Sequence, residues 1–182
     1  FLDAGREIVS IHLPSKLSGT YASACAAKTE LETQLKKALP LTIVDTPWLS
    51  MALGLLVIAA AQAAEAGQSR EQVLATINAL IPKLNLIFVL DTLEYLKRGG
   101  RIGGARAMLG TLLSVKPMLE VKHGLVEPLE QPRSRAKALK RLLEILEERA
   151  GHRPVHASVL HAQAPEDAAQ LEKDVRKRFE CK

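Results

Sequence analysis

The segment Ser15–Thr20 is the first stretch of the chain whose residue types could do chemistry. It brings the hydroxyls of Ser15, Ser18 and Thr20, together with Gly19, to a junction between a predicted strand and a predicted helix. Free backbone N–H groups and the dipole at a helix start both favour an anion, so these residues could bind a carboxylate or phosphate. Ser18 could instead simply cap the helix. A nucleophilic role for Ser18 stays open, although no Gly-x-Ser-x-Gly elbow or ordered His–Asp partner accompanies it.

A second candidate segment runs from Thr92 to Ile102 and contains two adjacent glycines. Gly99 and Gly100 permit unusual backbone angles and the close approach of a ligand. Arg101 follows them directly, and its guanidinium could make a two-pronged contact with a carboxylate or phosphate. The alternative is that Gly99 only ends a helix, with Lys97 and Arg98 solvated.

Two histidines, His161 and His12, are candidates for a direct role in ligand binding. His161 ends an apolar predicted strand, where a structural role is the ordinary one. His12 also lies on a predicted strand and could approach the Ser15–Thr20 loop. No cluster of His, Cys, Asp and Glu has metal-ligand spacing, so we expect no metal and no cofactor.

Composition narrows the class of protein. The chain has 182 residues, of which 47% are hydrophobic and only 3% aromatic, enough for a core of aliphatic side chains. The basic residues behind the net charge of +5 are concentrated in residues 97–106 and 133–153, which favours a solvated basic face or an acidic partner over nucleic acid.

The cysteines and the most apolar segment bear on where the protein works. Cys25 and Cys181 lie too far apart in sequence for a metal motif and fit a reducing cytoplasm. The apolar run Met51–Ala64 is too short to span a bilayer and predicts a buried helix.

The first half of the chain alternates strands with helices. Glu7–Leu13 and Leu41–Asp45 are predicted strands, and Tyr21–Lys37 and Leu49–Ala66 are predicted helices, the second ended by Gly67. Ser69 and Gln72 form a predicted capping box that opens another helix to about Leu80. This order predicts a parallel, Rossmann-like sheet covered by helices.

The pattern changes after Pro82. Strands are predicted at Asn85–Asp91, Pro117–Lys122, Leu125–Glu130 and Val155–His161, with His123-Gly124 as a hairpin turn. Helices are predicted at Arg133–Arg149 and Pro165–Phe179, besides a short one ended by Gly99 and Gly100. A hairpin beside isolated strands predicts a mixed or antiparallel sheet. We therefore expect an α/β fold of two domains, residues 1–83 and 84–182.

Three segments, taken in order, resemble the DegV family. They are IHLPSKLSGTY at Ile11–Tyr21, DTLEYLKRGGRIGG at Asp91–Gly104 and LLSVKPML at Leu112–Leu119. The resemblance covers nearly the whole chain and implies two α/β domains with a fatty acid bound between them. It also implies a carrier, not an enzyme, that presents the carboxylate of a long-chain fatty acid to a fatty acid kinase.

The resemblance also implies roles for individual residues. Ser18 would contact the carboxylate, Arg101 would lie close to the head group, and Arg133 would dock the kinase. The chain departs from the family at Pro14, where serine is more usual, and this change would stiffen the entry to the loop. Family segments before and after these residues are not present, so we expect the middle of a longer protein, and His161 does not replace the family's terminal histidine.

Two other functions remain in competition with the carrier. One is an enzyme that acts on a phosphorylated or acylated small molecule with Ser18 as its nucleophile, which requires a base within hydrogen-bond reach. The other is a basic regulator that binds DNA or RNA, which requires a continuous basic face and strongly salt-dependent binding.

Overall fold

A computed structural model of the protein describes residues 5–109 and 115–181. The first part of the Leu112–Leu119 motif therefore lies outside the described residues. The elements in chain order are β1 (Ile8–His12), α1 (Thr20–Leu35), β2 (Leu41–Asp45), α2 (Ser50–Glu65), α3 (Arg70–Leu80), β3 (Ile87–Val89), α4 (Glu94–Arg98), β4 (Met118–Lys122), β5 (Leu125–Glu130), α5 (Arg135–Ala150) and α6 (Pro165–Arg178). Short 3-10 helices occupy Ile81–Lys83 and Gly103–Met108.

The first sheet consists of β1 and β2, which pair in parallel as predicted. Their register runs from Ile8 opposite Leu41 to His12 opposite Asp45, so both strands end side by side. The loops that follow them must therefore leave from the same edge of the sheet. In open α/β sheets this carboxyl edge is where ligands bind.

Helices α2 and α3 supply the buried core of this half. Leu56 and Ile77 are fully buried and pack with smaller apolar residues between the helices and the sheet. The predicted capping box is confirmed, because the Ser69 hydroxyl accepts from the Gln72 N–H and the Gln72 side chain accepts from the Ser69 N–H. It satisfies two backbone donors at the start of α3.

The second sheet is antiparallel, with the strand order β3-β4-β5. Strand β3 is three residues long, shorter than the predicted Asn85–Asp91. The predicted hairpin is confirmed, since His123 and Gly124 both have positive φ values, 52° and 76°. Two successive residues with positive φ form the tight two-residue turn whose twist matches that of the flanking strands.

Side chains alternate between the two faces of this sheet, as the pleat requires. Leu119 and Val126 pack with Leu93 and Ile102 on one face. Met118 packs against α5 on the other face, with Ala138 and Leu142 among its buried neighbours. Helix α5 starts at a side-chain cap, because the Ser134 hydroxyl accepts from the Lys137 N–H.

The predicted strand Val155–His161 is wrong. Among residues 5–109 and 115–181 this segment makes only an isolated parallel bridge, between Val155 and Cys181, and Leu160 is exposed. Alternating apolar residues favour extended backbone, but a strand also needs a neighbour whose N–H and C=O groups face its own. The described residues place no such neighbour along His156–His161.

The α/β class with one parallel and one antiparallel sheet is confirmed. The buried clusters of the two halves share no residue, and the 3-10 helix Ile81–Lys83 lies between them in the chain. A division into domains near residue 83 is consistent with this arrangement and stays a prediction. In the described part of the chain, no helix is both long and apolar enough to cross a membrane.

Candidate functional site

The loop from β1 to α1 carries the predicted anion-binding residues. Its first turn is closed by the carbonyl of buried Pro14, which accepts from the N–H groups of Leu17 at 2.9 Å and Ser18 at 3.0 Å. Gly19 occupies the cap position of α1, and no side chain caps the helix. Ser18 is therefore not a standard cap, although its hydroxyl accepts from the Thr20 N–H at 3.3 Å.

The hydroxyls of Ser18 and Thr20 lie together at the start of α1. The Ser18 Oγ donates to the Thr20 Oγ1 at 3.2 Å, and Gly19 and Thr20 are both exposed. The first N–H groups of a helix have no partner within the helix. Two adjacent hydroxyls beside such N–H groups can together bind one carboxylate.

Ser15 has a different environment from Ser18. Its N–H donates to Asp45 Oδ1 at 2.9 Å and its hydroxyl to Asp45 Oδ2 at 2.5 Å. Asp45 is the last residue of β2, so this pair joins the two loops at the carboxyl edge of the parallel sheet. The Ser15 donors are thus already used within the protein.

Arg101 reaches the same loop from the other half of the chain. Its Nε donates to the Leu17 carbonyl at 3.1 Å, and its Nη1 donates to the Gly99 carbonyl at 2.5 Å. Gly100 has a φ of 72°, which favours glycine and turns the chain so that Arg101 faces the loop. The structure therefore brings two sequence-predicted segments together, 84 residues apart in the chain.

The hairpin turn of the second sheet also packs on this loop. The Lys16 Nζ donates to the His123 carbonyl at 3.0 Å, and Gly124 is buried against Pro14. A cavity of about 220 Å³ remains here, lined by Pro14–Lys16, Asp45–Pro47 and His123-Gly124. Three loops from both sheets thus meet around Ser15 and Asp45.

His12 lies near the loop but does not contact Ser18. Its Nε2 is 2.8 Å from the Ser10 Oγ, and its ring packs edge-on against Tyr21. A hydrogen bond with the Cys25 side chain raises the pKa of the Tyr21 phenol, and the Asp45 carboxylate adds to this rise.

The remaining sequence candidates lie elsewhere. Arg133 is exposed just before the Ser134 cap of α5, and it makes no ion pair or hydrogen bond with any other described residue. His161 is exposed and accepts from the Ala164 N–H through its Nδ1 at 3.3 Å. Within residues 5–109 and 115–181, no group of three or more His, Cys, Asp and Glu could hold a metal ion.

These motifs and this fold agree with one protein family. Its profile, described as "Uncharacterised protein, DegV family", matches residues 1–182. The chain belongs to the DegV family. A DegV domain-containing protein of Streptomyces coelicolor is 42% identical over 171 residues, which cover 94% of this chain and 59% of that protein.

Solved DegV structures share the fold. A DegV family protein of Thermus thermophilus, described as fatty acid binding, has a TM-score of 0.82 at 38% identity and covers 93% of this chain. DegV of Bacillus subtilis, described as a fatty acid binding protein, has a TM-score of 0.82 at 32% identity and covers all of it. The chain spans 59% and 64% of the lengths of these two proteins.

Sequence reasoning missed the residues that hold the loop from β1 to α1 in place. Asp45 was noted only as a strand-end residue, and the contacts of Lys16 and Gly124 were not predicted. A signal for Asp45 was available, because the carboxyl ends of adjacent parallel strands lie at one edge. The Lys16–His123 contact joins the two halves of the chain, and nothing in either segment indicates the other.

Proposed function

We propose that this protein is a cytoplasmic fatty-acid carrier whose carboxylate site is the start of α1. Ser18, Gly19 and Thr20 bind the carboxylate through hydroxyl and backbone N–H groups, with Arg101 close to the head group. The acyl chain extends between the two halves of the protein, where each buried methylene contributes roughly 0.8 kcal/mol.

One observation carries this proposal: an uncapped helix start with two adjacent hydroxyls lies beside a loop that Arg101 contacts. This arrangement supplies several donors and a cation for a single anionic group. The description of the Thermus and Bacillus relatives as fatty acid binding supports a lipid carboxylate rather than another anion.

The enzyme alternative has less support from the same geometry. A nucleophilic serine needs a base within hydrogen-bond reach. Among the described residues, the only side chain that Ser18 contacts through a hydrogen bond is Thr20, and His12 pairs with Ser10 instead. We therefore propose a carrier that does not itself catalyse a reaction.

We also propose that the bound fatty acid is presented to a fatty acid kinase. This part rests on the DegV resemblance and on Arg133, an exposed arginine with no partner in the described part of the chain. An unpaired surface cation can steer an acidic partner and set the rate of encounter.

Identification of the lipid that co-purifies with the protein tests the carrier proposal. The protein, expressed at its natural length, is purified, denatured and extracted, and any released lipid is identified by mass spectrometry. We expect long-chain fatty acid in a near-stoichiometric amount, without turnover on incubation. Release of hydrolysed product would support the enzyme, and co-purified nucleic acid that is lost steeply with salt would support the regulator.

A further inference from the structure

We propose that Asp45 is a positioning residue that fixes the carboxylate-binding loop through Ser15. This inference rests on the proposed function and goes beyond it, because it assigns Asp45 a role and changes that of Ser15. Neither residue would touch the fatty acid. Their hydrogen bonds would hold Ser18 and Thr20 where the carboxylate binds.

The first evidence is that one residue binds both oxygens of the Asp45 carboxylate. Both carboxylate oxygens accept from Ser15, one from the N–H and one from the hydroxyl. Two bonds between one pair fix orientation as well as distance, so the loop cannot rotate about a single contact. Ser15 directly follows the buried Pro14, whose carbonyl closes the turn that leads to Ser18.

Asp45 itself stands on a rigid support. It ends β2 opposite His12, and the next residue, Thr46, is only 1% exposed. The Thr46 hydroxyl donates to the His12 carbonyl at 3.0 Å and accepts from the Trp48 N–H at 3.3 Å. The Asp45 carboxylate is therefore attached to a buried hydrogen-bonded junction and can hold a loop in place.

The opposite side of the loop is held by the second sheet. Lys16 binds the His123 carbonyl, and Arg101 binds the Leu17 carbonyl. Among the described residues of this loop, Ser15 is the one that hydrogen-bonds to a side chain of the parallel sheet. Removing Asp45 would remove the hydrogen bonds that tie Ser15 to β2, and Ser18 would then no longer be held in place.

Because Asp45 carries a negative charge, the direction in which fatty-acid affinity changes on its removal tests this inference. Asp45 is an anion near the proposed carboxylate site, so as a mere neighbour it would repel the ligand. Its removal would then tighten binding. A positioning role predicts the reverse: weaker binding after loss of a negative charge.

The experiment compares oleate binding by the purified protein at its natural length with that of five variants. We expect Asp45→Ala to raise Kd roughly tenfold and Ser15→Ala, which keeps the backbone N–H bond, to raise it less. The double variant should bind no worse than Asp45→Ala alone. Asp45→Asn keeps an acceptor for the Ser15 N–H, so its affinity should fall between those of Asp45→Ala and the wild type. Glu65→Ala, at the far end of α2, is the matched control and should bind normally. Unchanged or tighter binding by Asp45→Ala, or additive effects in the double variant, would overturn the inference.

A second readout separates this inference from the proposed function. Amide hydrogen exchange is measured without ligand, in the wild type and in Asp45→Ala. Faster exchange at Leu17–Thr20, with the interior of α2 unchanged, supports the positioning role even if the wild type binds no fatty acid. Unchanged exchange in this loop would refute it, whatever the protein binds.

Discussion

Ser18 and Ser15 show how two serines in one short loop acquire different tasks. Both were predicted to contact the anion, and both lie on the loop from β1 to α1. The Ser15 hydroxyl donates to Asp45, whereas the Ser18 hydroxyl faces Thr20 at an uncapped helix start. Residue type and spacing predict anion binding by these serines. Strand β2, which ends at Asp45, decides which of the two hydroxyls remains available to bind an anion.

At the residue scale, we expect Ser18→Ala to weaken fatty-acid binding without destabilising the fold. One hydrogen bond to a charged group contributes roughly 1.5–3 kcal/mol, so Kd should rise at least about tenfold. Isothermal titration with oleate measures the affinity, and thermal unfolding measures the stability. Ser23→Ala, an exposed serine on α1, is the control and should change neither.

The opposite pattern would reveal a structural serine. If Ser18→Ala lowers Tm by several degrees and leaves the affinity for oleate intact, its hydroxyl serves the helix start and not the ligand.

At the element scale, an ion-pair network joins the end of β3 to the two C-terminal helices. Asp91 accepts from Lys116 at 2.8 Å and lies 3.5 Å from the Arg135 guanidinium. Arg135 on α5 also pairs with Asp167 in the first turn of α6. The hydrogen bond from Lys116 lowers the pKa of Asp91, with Arg135 adding to the effect.

This network predicts a pH-dependent contribution of Asp91 to stability. Because the pKa is lower in the folded protein, the stabilisation is present at neutral pH and is lost as pH falls below about 4. Asp91 is exposed, so we expect Asp91→Asn to cost less than about 1 kcal/mol at pH 7 and nothing at low pH. Denaturant unfolding at several pH values measures the difference. A cost that persists at pH 3 would contradict the assignment.

Two arginines in and just before helix α5 differ in their ion pairs. Arg141 is bound by the carboxylates of Glu130, Glu144 and Glu148, and these raise its pKa, the hydrogen bonds that it donates to Glu130 most of all. Arg133, before the helix, makes no such pair with the described residues. Of these two arginines, therefore, Arg133 is the one whose charge is available to a partner.

We expect Arg133→Ala to leave oleate affinity unchanged and to slow phosphorylation of the bound fatty acid by the fatty acid kinase proposed above as its partner. The loss should appear at low carrier concentration as a several-fold lower rate and should diminish as salt screens the encounter. Arg176→Ala, which removes an exposed arginine from α6, is the control. Equal rates for Arg133→Ala and the wild type at limiting carrier would refute a docking role.

At the scale of the whole molecule, the strands of the parallel sheet are only partly buried. Within the described residues it contains two strands, and parallel sheets are ordinarily buried on both faces. Apolar side chains on the two neighbouring helices are 41–50% exposed, namely Leu31, Leu35, Val57 and Ile58. Unpaired strand edges beside exposed apolar side chains promote association.

We therefore expect residues 1–182, expressed alone, to self-associate. Size-exclusion chromatography with light scattering should give a mass that rises with concentration. The double substitution Val57→Gln with Ile58→Gln should reduce association, whereas Leu160→Gln, at an exposed leucine in the other half, should not. A monomer at every concentration would contradict this prediction.

Local patterns predicted most of the elements, and contacts between distant residues account for what was missed. The capping box at Ser69 and the turn at His123-Gly124 depend on neighbours within a few residues, so the sequence contains the whole signal. The Asp45–Ser15 pair depends on strand register, which no short window of sequence contains. Val155–His161 was mispredicted for the related reason that a strand needs a partner as well as a pattern.

The contact between Lys16 and the hairpin turn also bears on the order in which the molecule folds. These residues are 107 positions apart, and the contact between Arg101 and Leu17 closes another long loop. The entropy lost in closing a loop rises with its length, and non-local contacts slow folding, whereas the packing of α2 on α3 needs only nearby residues. Helices and hairpin can therefore form before the candidate site exists. A nascent chain that has buried both cores but has not yet joined its halves would lack the contacts of Lys16 and Arg101, so the candidate site is complete only in the finished fold.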